Sequence, residues 1–157
     1  MPDPRWLDDR EMAAWLPLIK LIHLLPQALD RQLRDEVGIG HSYYSMLASL
    51  SDAPDRTMPM GELARYTATS PSRLSHAISV MQQRGWVERK PSPADRRIQY
   101  ATLTTAGLEV LRKVAPSHVA EVRRLIFDRL TLEQVDQLRE LGTALLDGLD
   151  GAEPAGR

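Results

Sequence analysis

The stretch SPSRLSHAISVMQQRGWVERKPSPADRRIQYATLT, Ser70 to Thr104, places a helix signal directly before a hairpin signal. Ser70 offers a side-chain oxygen to the orphan N–H groups of a helix start, and Pro71 follows at the first helical position, where a missing donor costs nothing. Leu74, Ala77, Ile78 and Met81 recur at helical spacing and share one face, while Ser72, Arg73, Ser75, His76, Ser79 and Val80 lie elsewhere on the cylinder. Gly85, after Arg84, supplies a left-handed stop. The spacing therefore predicts a helix over Pro71 to Arg84. Next, Trp86 to Lys90 and Ile98 to Leu103 are β-prone runs separated by Pro91 to Arg97, which reads as a hairpin with a long tip. Ile98 and Tyr100 alternate against Ala101 and Leu103, and the pattern alone does not choose which pair faces inward.

Upstream, Gly61 to Tyr66 gives about two helical turns, and Thr67 to Thr69 connects them to the capped helix. Asp52 to Pro59, with Pro54 and Pro59, reads as a loop. Before it, Ser42 is the expected cap of a helix carrying Tyr44, Leu47 and Leu50, and Gly38 to His41 is a break. Leu18, Ile22, Leu25, Leu29 and Leu33 give the segment Trp6 to Val37 a helical period, which Pro17 and Pro26 are expected to interrupt, since each lacks an N–H and clashes with the preceding turn. Downstream, Thr104 caps a long helix expected to reach Phe127 with a bend at Pro116. Thr131 and Gln134 fit a capping box for a last helix whose Val135, Leu138, Leu141, Leu145 and Leu149 form an apolar seam. The tail Gly151 to Arg157 is expected to fray.

Composition restricts the chemistry. The 157 residues contain no cysteine, which excludes disulfides, thiolate metal sites and thiol nucleophiles. No paired carboxylates, glycine-rich phosphate loop or Ser-His-Asp grouping suggests an enzyme. His23, His41, His76 and His118 are scattered, without the three- or four-residue spacing that sets two imidazoles on one helix face, so neither a metal nor another cofactor is expected. There is no uninterrupted run of eighteen apolar residues and no basic-then-apolar leader, so the expectation is a cytoplasmic protein without a membrane partner. The net charge is −1, yet Asp55 to Tyr100 holds eight arginines and lysines against four carboxylates. A basic middle within a neutral chain points to one surface that meets an anion.

The order of elements completes the reading. A short helix, a tight connection and a capped helix with small polar residues on its outer face present side chains to a major groove, and an arginine-tipped hairpin adds a second reach. A B-form minor groove is narrow and electronegative, so it admits a slender cation such as the Arg97 or Arg96 guanidinium. Asp95 beside them reads as a carboxylate that holds a guanidinium in a fixed direction. The fold class expected is mainly α with a small β-hairpin wing: a winged helix-turn-helix lobe at about 41–104, flanked by long dimerisation helices at about 6–37 and 105–149, all within one domain of 157 residues. A winged helix used only for protein contacts is the alternative, and the arginine tip disfavours it.

The chain resembles the MarR family of bacterial transcriptional regulators. DRRIQYATLT, Asp95 to Thr104, with Gly107 nearby, is similar to that family's wing signature, and GELARYTATSPSRLSHAISVMQQRGWVER is similar to its helix-turn-helix. His76 and Val80 stand where many members carry arginine, and Gln99 where an apolar residue is usual. The resemblance implies a homodimer with interlocking terminal helices whose two lobes straddle a pseudo-palindromic double-stranded DNA operator; the leading function expected is a transcriptional regulator, a repressor ahead of an activator. It implies that Ser72, Arg73, Ser75 and His76 face bases or phosphates and that Arg97 enters the minor groove. Read from the residues themselves, Ser70 is first a helix cap and second a DNA contact, Lys90 and Arg89 at the wing base meet phosphate or solvent, and Arg96 beside Arg97 suits the minor groove. The resemblance also implies relief by a small aromatic or phenolic effector, for which Trp15, His23, Tyr43, Tyr44 and Met60 are the candidate pocket residues.

Overall fold

The computed structural model describes residues 4–150, with the backbone alone at 150, so the expected fraying of Gly151 to Arg157 lies outside the described residues. The chain divides into two compact units, one ending at His118 and the other beginning at Val119. The first contains α1 (Asp9–Val37), α2 (His41–Asp52), a 3-10 turn (Pro54–Arg56), β1 (Thr57–Pro59), α3 (Met60–Tyr66), α4 (Pro71–Gln83), β2 (Val87–Pro91), β3 (Gln99–Leu103) and most of α5 (Thr105–Leu125). The second holds the end of α5, a 3-10 turn (Phe127–Arg129) and α6 (Leu132–Asp150).

Every expected helix is present, with three corrections. First, α1 runs unbroken through Pro17 and Pro26 and starts at Asp9, where Asp8 and Glu11 form a capping box. Much of this helix is exposed in the single chain, including Ala13 and Ile22, whose carbonyls the prolines leave without a helical donor. By length and composition it would suffice to cross a membrane. Second, α2 begins two residues early, with Gly40 rather than Ser42 as its cap residue and Ser42 inside the first turn. The missing side-chain cap is supplied from another helix of the same chain: the Asp30 carboxylate of α1 accepts the His41 N–H at 2.9 Å. Third, α5 stops at Leu125 and is continuous through Pro116.

The expected loop before α3 contains a third strand. β1 pairs antiparallel with β3, setting Met58 opposite Ala101, and β3 pairs on its other edge with β2, setting Val87 opposite Leu103. Burial settles the open face of β3. Ala101 and Leu103 are buried, whereas Ile98 is exposed and Tyr100 half-buried. They join Leu47 and Leu50 of α2, Leu63 of α3 and Leu74, Ala77, Ile78 and Met81 of α4 in one apolar core. At roughly 1.5–3 kcal/mol per fully buried aliphatic side chain, this cluster is what fixes the pose of α4.

Glycine is required at one close approach. A Cβ on Gly107 would lie 2.2 Å from the Trp86 carbonyl oxygen. The same carbonyl accepts the Thr104 N–H at 3.0 Å, while the Thr104 hydroxyl donates to the Gly85 carbonyl at 2.7 Å and accepts the Gly107 N–H at 3.0 Å. The start of α5 is thereby sewn to the end of α4 and the root of the hairpin.

Candidate nucleic-acid interface

α4 has two chemically distinct sides. Its apolar side is buried in the core, and on the opposite side Ser72, Arg73, His76 and Ser79 are exposed. The cap read from the sequence is present: the Ser70 hydroxyl accepts the Arg73 N–H at 3.5 Å and lies 3.4 Å from the Ser72 hydroxyl. Ser70 thus acts at the helix end as a cap. Ser75 is half-buried and accepts a hydrogen bond from the Arg89 guanidinium on β2 at 3.3 Å. That link between the exposed helix and the hairpin has no local sequence signal, because its partners lie 14 residues apart on different elements.

The hairpin tip is a closed turn. The Ile98 N–H donates to the Asp95 carbonyl at 3.0 Å, which puts Arg96 and Arg97 at the two central positions of a four-residue turn. Both arginines are exposed. The Asp95 reading needs correction: its carboxylate accepts the Arg97 main-chain N–H at 2.9 Å rather than holding a guanidinium. The cause is spacing, since a carboxylate two residues before an N–H closes an Asx turn with less ordering of long side chains than an ion pair requires. The guanidiniums are consequently left uncommitted, and among the described residues Arg73, Arg96 and Arg97 form no ion pair. The Gln99 amide donates to the Arg96 carbonyl at 3.2 Å and braces the turn from the strand side. Lys90, by contrast, pairs with Glu88 at 2.5 Å, so part of its charge is satisfied within β2. At the base, the Arg84 guanidinium lies 4.9 Å from the Trp86 ring centroid, a cation–π contact joining the end of α4 to the strand.

The five residues suggested for an effector pocket are distributed rather than gathered. Tyr43 lines a cavity of about 490 Å³ with Met46, Arg73 and His76. Met60 lines another of about 490 Å³ with Ser75, Arg89 and Arg97. Tyr44 packs against His118, with ring centroids 4.1 Å apart, and His118 lies 5.3 Å from His41. Trp15 and His23 are exposed on α1, where the His23 Nδ1 sits 2.6 Å from the Ile19 carbonyl. No local spacing brings His41 and His118 together, since they lie on different helices far apart in the chain. Burial holds His41 below the ordinary histidine pKa, although Asp30 pulls it partly back. Among the described residues no group of three or more metal-ligating side chains comes together.

A helix-turn-helix with a basic, closed-turn hairpin directly behind its exposed helix is the arrangement that comparison with known proteins then places. Residues 37–98 match the model of the MarR family. Sco3205, a MarR family transcriptional regulator from Streptomyces coelicolor solved in complex with DNA, is 43% identical, with 99% of this chain and 95% of that one covered at a TM-score of 0.91. The chain belongs to the MarR family. AbsC, another MarR family transcriptional regulator from Streptomyces coelicolor, is 38% identical over 94% of this chain and 99% of its own, with a TM-score of 0.88. Transcriptional repressor MprA of Escherichia coli (strain K12) is 29% identical over 119 residues, 76% of this chain and 67% of MprA. These MarR relatives are transcriptional regulators and not enzymes, in agreement with the residue inventory.

Proposed function

We propose that this MarR-family protein is a cytoplasmic, homodimeric repressor of transcription that binds a pseudo-palindromic double-stranded DNA operator. The exposed side of α4 enters the major groove with Ser72, Arg73 and His76 foremost, Ser75 and the Ser70 cap beside them and Lys90 near phosphate, while the turn at Arg96 and Arg97 reaches the adjacent minor groove. The observation that carries this reading is the pair of free guanidiniums at the central positions of a turn whose backbone is already fixed by Asp95. The DNA complex of Sco3205 and the name of MprA support duplex binding and repression respectively.

Two apolar faces support the homodimer. Trp6, Leu7, Trp15, Leu16, Leu21 and Ile22 at the N-terminal end are exposed, and so are Leu138, Leu141, Leu145, Leu146 and Leu149 of α6. A second copy covers both in this reading, and the same contact accounts for an α1 apolar enough for a membrane. The segments 6–37 and 105–149 then serve dimerisation, and 41–104 is the DNA-binding lobe. A small aromatic or phenolic effector completes the scheme. It binds beside Tyr43 and shifts the population of lobe spacings away from successive major grooves, about 34 Å apart.

Arg97→Ala tests the wing. We expect the dimer to stay folded and operator affinity to fall at least about tenfold, the loss of an inserted cation. Unchanged affinity would remove the minor-groove role.

A further inference from the structure

Ser92 is one of two buried polar residues among those described, at 6% exposure, and it sits in the hairpin tip, whose neighbours from Pro93 to Ile98 are all exposed. A small hydroxyl residue tucked inside an exposed loop needs a reason. Its contacts give one. The Ser92 hydroxyl oxygen accepts the Ala94 N–H at 3.2 Å and the Asp95 N–H at 3.4 Å. Its own N–H donates to the Ile98 carbonyl at 2.8 Å, one step beyond the last paired residues of the hairpin, Pro91 and Gln99. Ser92 therefore grips both limbs of the tip: the descending limb through its side chain, the returning limb through its backbone.

From this arrangement we infer that Ser92 is a positioning residue for DNA binding, acting through Arg96 and Arg97. The turn that displays the two arginines starts at Asp95, and the Asp95 N–H is one of the two that Ser92 holds. Without the Ser92 oxygen, both N–H groups turn to water and the Pro93 to Asp95 segment samples other conformations. The arginines then lose their fixed direction, and the bound geometry must be selected from a broader ensemble. The effect is specific to the tip, because the Ser92 side chain is bonded to no residue of the core or of α4. This inference rests on the proposed role of the wing arginines.

A thermodynamic cycle tests it. The probe is a duplex selected by this protein from a random-sequence pool, measured at low salt. Four proteins are compared: the parent, Ser92→Ala, the pair Arg96→Ala/Arg97→Ala, and all three substitutions together. We expect Ser92→Ala to weaken binding about fivefold, the scale of a lost neutral hydrogen-bond pair, with dimer and thermal midpoint retained. In the arginine-free background the same substitution should change nothing, since a residue that acts through the arginines has nothing left to position. Ser92→Thr, which keeps the hydroxyl, should restore affinity. An equal loss in both backgrounds would overturn the inference and assign Ser92 a general structural role. Full affinity in Ser92→Ala would overturn it as well. If removing both arginines leaves affinity intact, the fault lies in the wing reading itself, and this inference falls with it.

Discussion

The Asp95 carboxylate accepts the Arg97 main-chain N–H at 2.9 Å, while the Arg97 side chain extends into solvent. An acid next to two arginines works here as a backbone brace. Its charge and its geometry are separable, because asparagine supplies the same acceptor without the charge. Asp95→Asn should therefore bind operator within about twofold of the parent, whereas Asp95→Ala should lose about five- to tenfold, the scale of one charge-assisted hydrogen bond. Equal losses in the two variants, measured by fluorescence anisotropy, would restore the ion-pair reading.

Gly107 sets the join between α5 and the hairpin. An added Cβ meets the Trp86 carbonyl oxygen at 2.2 Å, a backbone atom that is also bonded to the Thr104 N–H. Neither group can move without breaking the Thr104 cap. Gly107→Ala should cost about 3 kcal/mol of stability, read as a lowered midpoint in urea. Gly61, with open space around its Cβ position, is the control, and Gly61→Ala should be within about 0.5 kcal/mol of the parent.

His41 gives the fold a pH dependence of definite sign. Burial lowers its pKa below 6.5 in the folded chain despite the opposing pull of Asp30. Between that lowered value and the ordinary one, the unfolded chain binds the extra proton, so stability falls as pH drops through about 6.5 and levels off beneath the folded-state pKa. The slope contributed is at most about 1.4 kcal/mol per pH unit. His41→Gln should flatten the stability profile across this window. A parallel profile would show that other groups carry the dependence.

The apolar stripe of α6 tests the dimer. Leu141 and Leu145 are 64% and 55% exposed in the single chain, one helical turn apart. Leu141→Glu/Leu145→Glu would bury carboxylates without partners at a two-fold interface, a penalty of several kcal/mol. Sedimentation should show monomers with the helical content of each chain retained. A persisting dimer would move the interface elsewhere.

The legible parts of this protein were those with local signals. Ser70 and Pro71 announced α4, its apolar positions defined the buried side, and Thr131 with Gln134 announced α6, where the Thr131 N–H donates to the Gln134 side chain at 2.9 Å and the Gln134 N–H to the Thr131 hydroxyl at 3.3 Å. What escaped depends on distant partners. β1 is three residues ending in proline, and it is a strand because β3 offers a free edge more than forty residues later. The α2 cap comes from Asp30, eleven residues upstream on another helix, so no motif around Ser42 reveals it. At the candidate site the exposed arginines were readable from composition and order. The side-chain geometry was not: whether Asp95 serves a guanidinium or an N–H, and whether Ser75 faces outward or accepts from Arg89, is decided by distances of a few ångströms.

A paired footprint of the protein on its selected duplex, with dimethyl sulfate reading guanine N7 in the major groove and hydroxyl radical reading the deoxyribose from the minor groove, addresses the central claim most directly. The account predicts two protected major-groove patches one helical turn apart, flanked by minor-groove protection that disappears in Arg96→Ala/Arg97→Ala while the major-groove patches remain. Uniform protection that tracks no sequence and vanishes with salt, or minor-groove protection indifferent to those arginines, would contradict it.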